Sequence, residues 1–209
     1  MRCEAAIREA LVNNTIALIA QGGFEMATTA AITRKAPPSA DVKMNESYIY
    51  RLFGSKDKLY EAVFLTLESE LYHALLSCVT EELAVERDAV DTWCRIFERA
   101  WGFLLRNEER CRCYVRYYYS VYFKDHSLAT HNKHFDLVVS NFSSAFAEEA
   151  DVSAIMHSVF TALLDFSIRV YNGDLQDNEE NRPHIFNILY SMMKMYLKDT
   201  TARAASVIV

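Results

Sequence analysis

Apolar residues recur at three- and four-residue steps along most of the chain. From Ser55 onward, Leu59, Val63, Leu67, Leu71, Ala74, Leu75 and Val79 fall on one side of a continuous pattern, which predicts a long amphipathic helix over 55–82. Ser55 stands where its hydroxyl can accept from the first free amides, and Asp57 complements the positive end of the helix dipole. The same period returns over 93–105, 114–123, 135–146, 152–170 and 185–197, with polar or Gly-containing breaks between. The fold class is therefore expected to be all-α. Five Gly and three Pro leave little material for the many turns of a sandwich or barrel. No repeat of solenoid length is visible, and residues 200–209 read as a C-terminal tail.

The first fifty-odd residues have a shorter grain. Helical stretches over 3–20, 28–35 and 45–52 are separated by Gln21-Gly22-Gly23 and Ala36-Pro37-Pro38-Ser39, the outline of a three-helix helix-turn-helix domain. The expected organisation is a helix-turn-helix domain over 1–54, a larger helical bundle for ligand binding and dimerisation over 55–199, and the tail. Charge follows the division. The chain's net charge is −6, yet residues 1–66 carry eight Lys and Arg against seven Asp and Glu, while the remainder carries fourteen against twenty-one. Within 26–60 six basic residues face three acidic ones, a local positive excess where phosphates could be met. Five scattered cysteines suit reduced thiols, and neither a signal peptide nor an uninterrupted apolar run of about 18 residues is present. These features lead to the expectation of a cytoplasmic protein with no membrane partner.

Specific positions sharpen the picture. Ile16-x-Leu18-Ile19-Ala20-x-x-Gly23-Phe24-Glu25, then Thr28 and Ile32, then Tyr48-Ile49-Tyr50-Arg51-Leu52-Phe53-Gly54-Ser55-Lys56-Asp57-Lys58-Leu59 occur in order. This set resembles the N-terminal pattern of the tetracycline-repressor (TetR) family of bacterial transcriptional regulators. The resemblance covers about the first 65 residues; the rest is similar to the family in length and helix count. It implies a sequence-specific regulator of transcription, most often a repressor, that binds double-stranded operator DNA as a homodimer and is released by a small-molecule effector. It also implies dimerisation through the last two long helices, here 152–171 and 179–199.

The matched residues have physical readings of their own. Gly23 permits a sharp exit from the first helix, and Phe24 supplies a ring to the small core. Thr28 or Thr29 caps the second helix, leaving a hydroxyl and free amides for a phosphate. Asn45 caps the third helix, which turns Ile49, Leu52 and Phe53 inward and Glu46, Ser47, Tyr48 and Arg51 outward, toward a major groove. Tyr50 and Lys56 are similar to the family's phosphate contacts. One departure from the pattern is the connection 37–44, about six residues longer than the family's usual tight turn; it could add a DNA contact through Lys43.

In the larger part, Tyr114, Tyr118 and Tyr122 fall on one helical stripe with Tyr117 beside it, a candidate lining for a flat or apolar effector or, equally, a tyrosine-rich core face. His157, Thr161 and Asp165 recur at four-residue steps, with Arg169 a turn further; they could orient a ligand, or Asp165 and Arg169 could form a structural ion pair. His131-x-x-His134 near His126 and the Cys111-x-Cys113 pair lack the partner motifs of known metal sites. No metal, no cofactor and no enzymatic activity are expected, since a nucleophile elbow, a Walker loop and a dinucleotide glycine fingerprint are missing. The competing expectation is a helical small-molecule-binding or protein-interaction module without DNA affinity.

Overall fold

Local capping chemistry sets most helix boundaries. In the computed structural model, which describes residues 2–37, 39 and 42–198, the chain forms α1 (Arg2–Gly22), α2 (Thr29–Lys35), α3 (Ser47–Phe53), α4 (Lys56–Leu83), α5 (Ala89–Arg106), α6 (Glu108–Tyr118), α7 (Leu128–Phe142), α8 (Val152–Tyr171) and α9 (Asn181–Met193). Thr28 caps α2 by accepting from the Ala31 amide at 3.1 Å, and Ser55 caps α4 by accepting from Lys58 at 3.1 Å. Gly23 and Gly54 take φ of 83° and 85°, the left-handed geometry that lets α1 and α3 stop abruptly. Among the described residues, the one β-type pairing is an isolated antiparallel bridge between Phe146 and Leu197.

Three expected boundaries are corrected. The tyrosine segment 114–123 is not one helix: α6 begins at Glu108 and ends at Tyr118, where Ser120 donates both its amide and its hydroxyl to the Tyr117 carbonyl. A side chain that offers the backbone an alternative partner interrupts the helical ladder. A π-helical turn over Phe123–Ser127 follows, and α7 starts at Leu128, ahead of the expected 135. The last helix ends at Met193, followed by a tight turn over Lys194–Tyr196, because the Tyr196 carbonyl accepts from the Ala147 amide and the Lys198 amide donates to the Ala145 carbonyl. The expected tail, 200–209, lies outside the described residues.

Packing gathers the chain into two units, one comprising the residues up to Leu71 with Asn107–His131, the other Tyr72–Arg106 with the residues from Asn132 onward. The first unit therefore holds α1–α3, the start of α4, and α6. The core of this unit is built on α1, with Ile7, Leu11, Ile16 and Ile19 buried; α6 lies along α1 and adds Cys113, Tyr114 and Tyr117, all buried. In the second unit α5, α8 and α9 pack together around Trp93, Phe97, Trp101 and Phe186. Asp177 anchors the approach to α9, accepting from the Trp101 indole at 2.9 Å and from Arg182 at 2.6 and 2.7 Å. Those charge-assisted bonds from Arg182 hold the Asp177 carboxyl below its ordinary pKa.

Two helices, α4 and α8, have the length and composition of membrane spans, each with mean hydropathy 1.2 over 18 residues, a property that the lack of an uninterrupted apolar run did not anticipate. For α4 the first unit supplies an explanation: Leu59, Tyr60, Val63 and Phe64 are wholly buried within the protein. Only 22% of the α8 window is buried, yet Asp165 and Arg169 stand on its exposed side, where a bilayer would charge about 2.5–3.5 kcal/mol for each.

Candidate functional site

Two side chains of α1 fix the helix-turn-helix from behind. Asn14, buried, donates both hydrogens of its amide, to the Ile32 carbonyl at 2.9 Å and the Ala36 carbonyl at 2.8 Å, and so satisfies the end of α2. Arg8 donates to the Leu52 carbonyl at 2.8 Å and lies over the Phe53 ring at 4.2 Å, doing the same for α3. Neither residue was singled out by the sequence reading. An Asn on the apolar face of a helix was the available signal, since a buried amide requires partners.

With both helices held, the residues expected at DNA divide into groups. Thr29 donates its hydroxyl to the Glu46 carboxylate, which ties the first turn of α2 to the start of α3. Asn45 accepts from the Ser47 amide at 3.1 Å and its hydroxyl at 2.5 Å; because α3 begins at Ser47, the N-cap position falls on Glu46, whose side chain makes no capping bond, and not on Asn45 as expected. Arg51 stacks over the Tyr48 ring at 4.5 Å and meets Glu4 of α1 at 3.3 Å. Tyr50 is 55% exposed. Lys56 reaches over the Tyr60 ring at 5.2 Å, while Thr28 and Lys43 lie exposed on either side of α2 in the chain. Of the residues read as inward, Ile49 is fully buried and Leu52 and Phe53 are half-buried.

The tyrosines expected to line an effector site instead build the interior of the first unit. Phe64 of α4 stacks on Tyr114 and Tyr117 at 5.4 and 4.7 Å between centroids, and Tyr122 closes on Phe24 at 4.7 Å and Tyr60 at 5.0 Å. Tyr118 packs against Phe123 at 4.5 Å. The Tyr117 hydroxyl pairs with Ser127 at 3.0 Å, and the Tyr60 hydroxyl donates to the Ala27 carbonyl at 3.0 Å. Burial raises the pKa of both phenols, that of Tyr117 to about 12 despite the opposing Ser127 bond, so they remain neutral hydrogen-bonding groups at physiological pH. Burial likewise raises the Cys113 thiol well above the range of a reactive cysteine. Glu68 of α4, wholly buried, lies 2.6 Å from Nδ1 of His131, whose ring also meets Tyr118 and Phe123. Among the described residues no group of three His, Cys, Asp or Glu side chains is placed to hold a metal ion.

The second unit contains a cavity that the sequence reading did not place. It lies between the C-terminal half of α4, α5, α7, α8 and α9, with a volume of about 80 Å³, or about 740 Å³ when all unfilled space out to its open side is counted. Every side chain around it is aliphatic, aromatic or methionine, from Leu75 and Val79 through Trp93, Phe160 and Met193. His157 and Asp165 face outward from α8 and Thr161 is half-exposed, its hydroxyl bonded to the His157 carbonyl at 2.8 Å; none of the three lines the cavity. Helical phase explains the miss: Met156, Val159, Phe160 and Leu163 take the inner stripe of α8, and the polar positions necessarily take the other.

Comparison with known proteins places the fold. No family model matches the chain, and no curated protein matches it. Solved structures do. A TetR family transcription regulator from Marinobacter aquaeolei VT8 superimposes with a TM-score of 0.73 at 15% identity, covering 95% of this chain and 100% of that one. A TetR-family transcriptional regulator from Haemophilus influenzae RD gives 0.61 at 17% identity, over 95% and 100%. A TetR-like transcriptional regulator from Rhodococcus sp. RHA1 gives 0.60 at 16%, over 90% and 93%. The all-α fold of this chain is the fold of those regulators.

Proposed function

We propose that the chain is a sequence-specific DNA-binding transcriptional regulator, not an enzyme, that acts as a homodimer and leaves its operator when a small-molecule effector binds. The observation that carries this reading is the face of α3: Ser47, Tyr50 and Arg51 are exposed, on a helix whose two neighbours pin it at both ends, in a fold shared with regulators of transcription. Tyr50, Lys56, Thr28 and Lys43 set the register on phosphates, while Ser47, Tyr48 and Arg51 meet base edges. Thr29, Glu46 and Asn45 support those contacts by holding the start of α3. Acting on chromosomal DNA fits a cytoplasmic location.

Purified protein incubated with fragmented genomic DNA at two salt concentrations tests the proposal. A palindromic motif is expected among the retained fragments, with affinity falling steeply as salt rises, because phosphate contacts release counterions. Sequence-blind retention, or none, would sink it.

The dimer rests on the surface of α8 and α9. On α8 the apolar residues Ile155, Phe166 and Ile168 are only half-buried, and α9 adds Ile188, 50% exposed. A dimer that reads a palindrome must present two recognition helices to successive major grooves, about 34–36 Å apart. Ile188→Glu should yield a folded monomer by light scattering with at least a tenfold weaker grip on the selected DNA; an unchanged dimer would place the interface elsewhere.

A further inference from the structure

The chemistry of the second unit's cavity is narrower than that of a general binding site. Its walls present rings and alkyl groups, and the only polar atoms on its lining side chains are the hydroxyls of Tyr72 and Tyr190 and the indole nitrogen of Trp93. Tyr190 stacks on Phe186 at 5.5 Å, and burial raises its phenol above the ordinary value, so it carries no charge at neutral pH. An ion entering such a space would lose its hydration and gain no counter-charge. A small cavity with these walls stays dry, and filling it with matching carbon surface recovers dispersion contacts at little desolvation cost.

Size restricts the occupant further. A single aromatic ring fills an engineered apolar cavity of about 150 Å³, and the 80 Å³ here is smaller, but Met156 and Met193 stand in the wall and are adaptable side chains. The open side gives a way in. We infer that this cavity binds a neutral, hydrocarbon-like molecule of about one ring, and that it rejects the anionic counterpart of the same shape. As the identity of the effector's chemical class, this rests on the regulatory reading above; as a statement about the cavity it does not.

Toluene and benzoate provide the matched pair of probes, titrated calorimetrically into the full-length protein. Toluene should bind saturably, with benzoate at least tenfold weaker. Val159→Phe, which pushes a ring into the cavity from α8, should abolish toluene binding. Phe160→Ala acts in the opposite direction, enlarging the space so that naphthalene binds at least tenfold tighter than to the unmodified protein. Equal binding of benzoate, no saturable toluene binding, or toluene affinity indifferent to a folded Val159→Phe variant would overturn the assignment; should that variant not fold, an unchanged naphthalene affinity in Phe160→Ala would do so. A separate measurement of DNA retention with and without toluene isolates the regulatory reading: toluene bound in the cavity with no effect on DNA leaves the cavity's ligand class standing and removes the effector role.

Discussion

Replacing Tyr50 and Arg51 together by alanine should lower affinity for the selected DNA by a hundredfold or more while leaving the protein folded. Both side chains are exposed by more than half, and the bonds they would surrender inside the protein are weak. Arg51 meets Glu4 at 3.3 Å in a surface ion pair and stacks on Tyr48, contacts that contribute little in high dielectric and are readily exchanged for a base edge. A base-reading arginine discriminates by about 1–3 kcal/mol. A dimer loses the contact twice, so the arginines alone account for roughly 2–6 kcal/mol, with the tyrosine contacts added. Lys56→Ala provides the contrast. On the proposed reading it removes a positive charge near phosphate and not a reader of sequence, so affinity should fall across all fragments and the salt slope should drop by about one for each lost contact. A double variant that retains its preferred motif at full affinity would remove α3 from the reading surface.

The residues behind that surface show where sequence reading succeeds and where it stops. Thr28, Gly23 and Ser55 were legible because their chemistry is local: a cap or a left-handed residue acts within three or four positions of itself. The period of apolar residues likewise revealed α4 and α8 nearly to their ends. Asn14 and Arg8 escaped because their partners are 18 to 44 residues away, and only the folded chain brings the carbonyls of Ile32, Ala36 and Leu52 to them. The tyrosines of α6 were recognised as a stripe, but a stripe does not say which neighbour it faces. They face Phe64 and Phe24 and fill the first unit, while the open space lies among α5, α7, α8 and α9. A cavity is a shortage of volume relative to the space between helices, and no single position encodes it.

The same long-range pairing governs stability at Glu68. Its carboxyl group is completely buried on α4 and shares a 2.6 Å hydrogen bond with His131, near the start of α7, in a surround of Phe64, Tyr118 and Phe123 rings. Desolvating such a pair during folding is costly, and the short bond between the partners offsets that cost only while both are present. Glu68→Ala should therefore destabilise the protein by about 3–5 kcal/mol, since it removes the short bond to His131 and opens a void in the buried surround of rings. Replacing both members by apolar residues of similar volume, Glu68→Met with His131→Phe, removes both polar groups together and refills the space, and should recover most of the loss, to within about 1.5 kcal/mol of the parent. Urea denaturation of the three proteins measures the difference. A loss below about 1 kcal/mol in Glu68→Ala, or a double variant no more stable than that single one, would mean that the pair is not what holds α4 and α7 together in the first unit. Because α4 runs on from Glu68 into the second unit, the double variant also separates stability from regulation. A chain of restored stability whose DNA affinity no longer responds to an effector would identify the pair as part of the switch, since only a group that distinguishes the two states can alter the coupling between them.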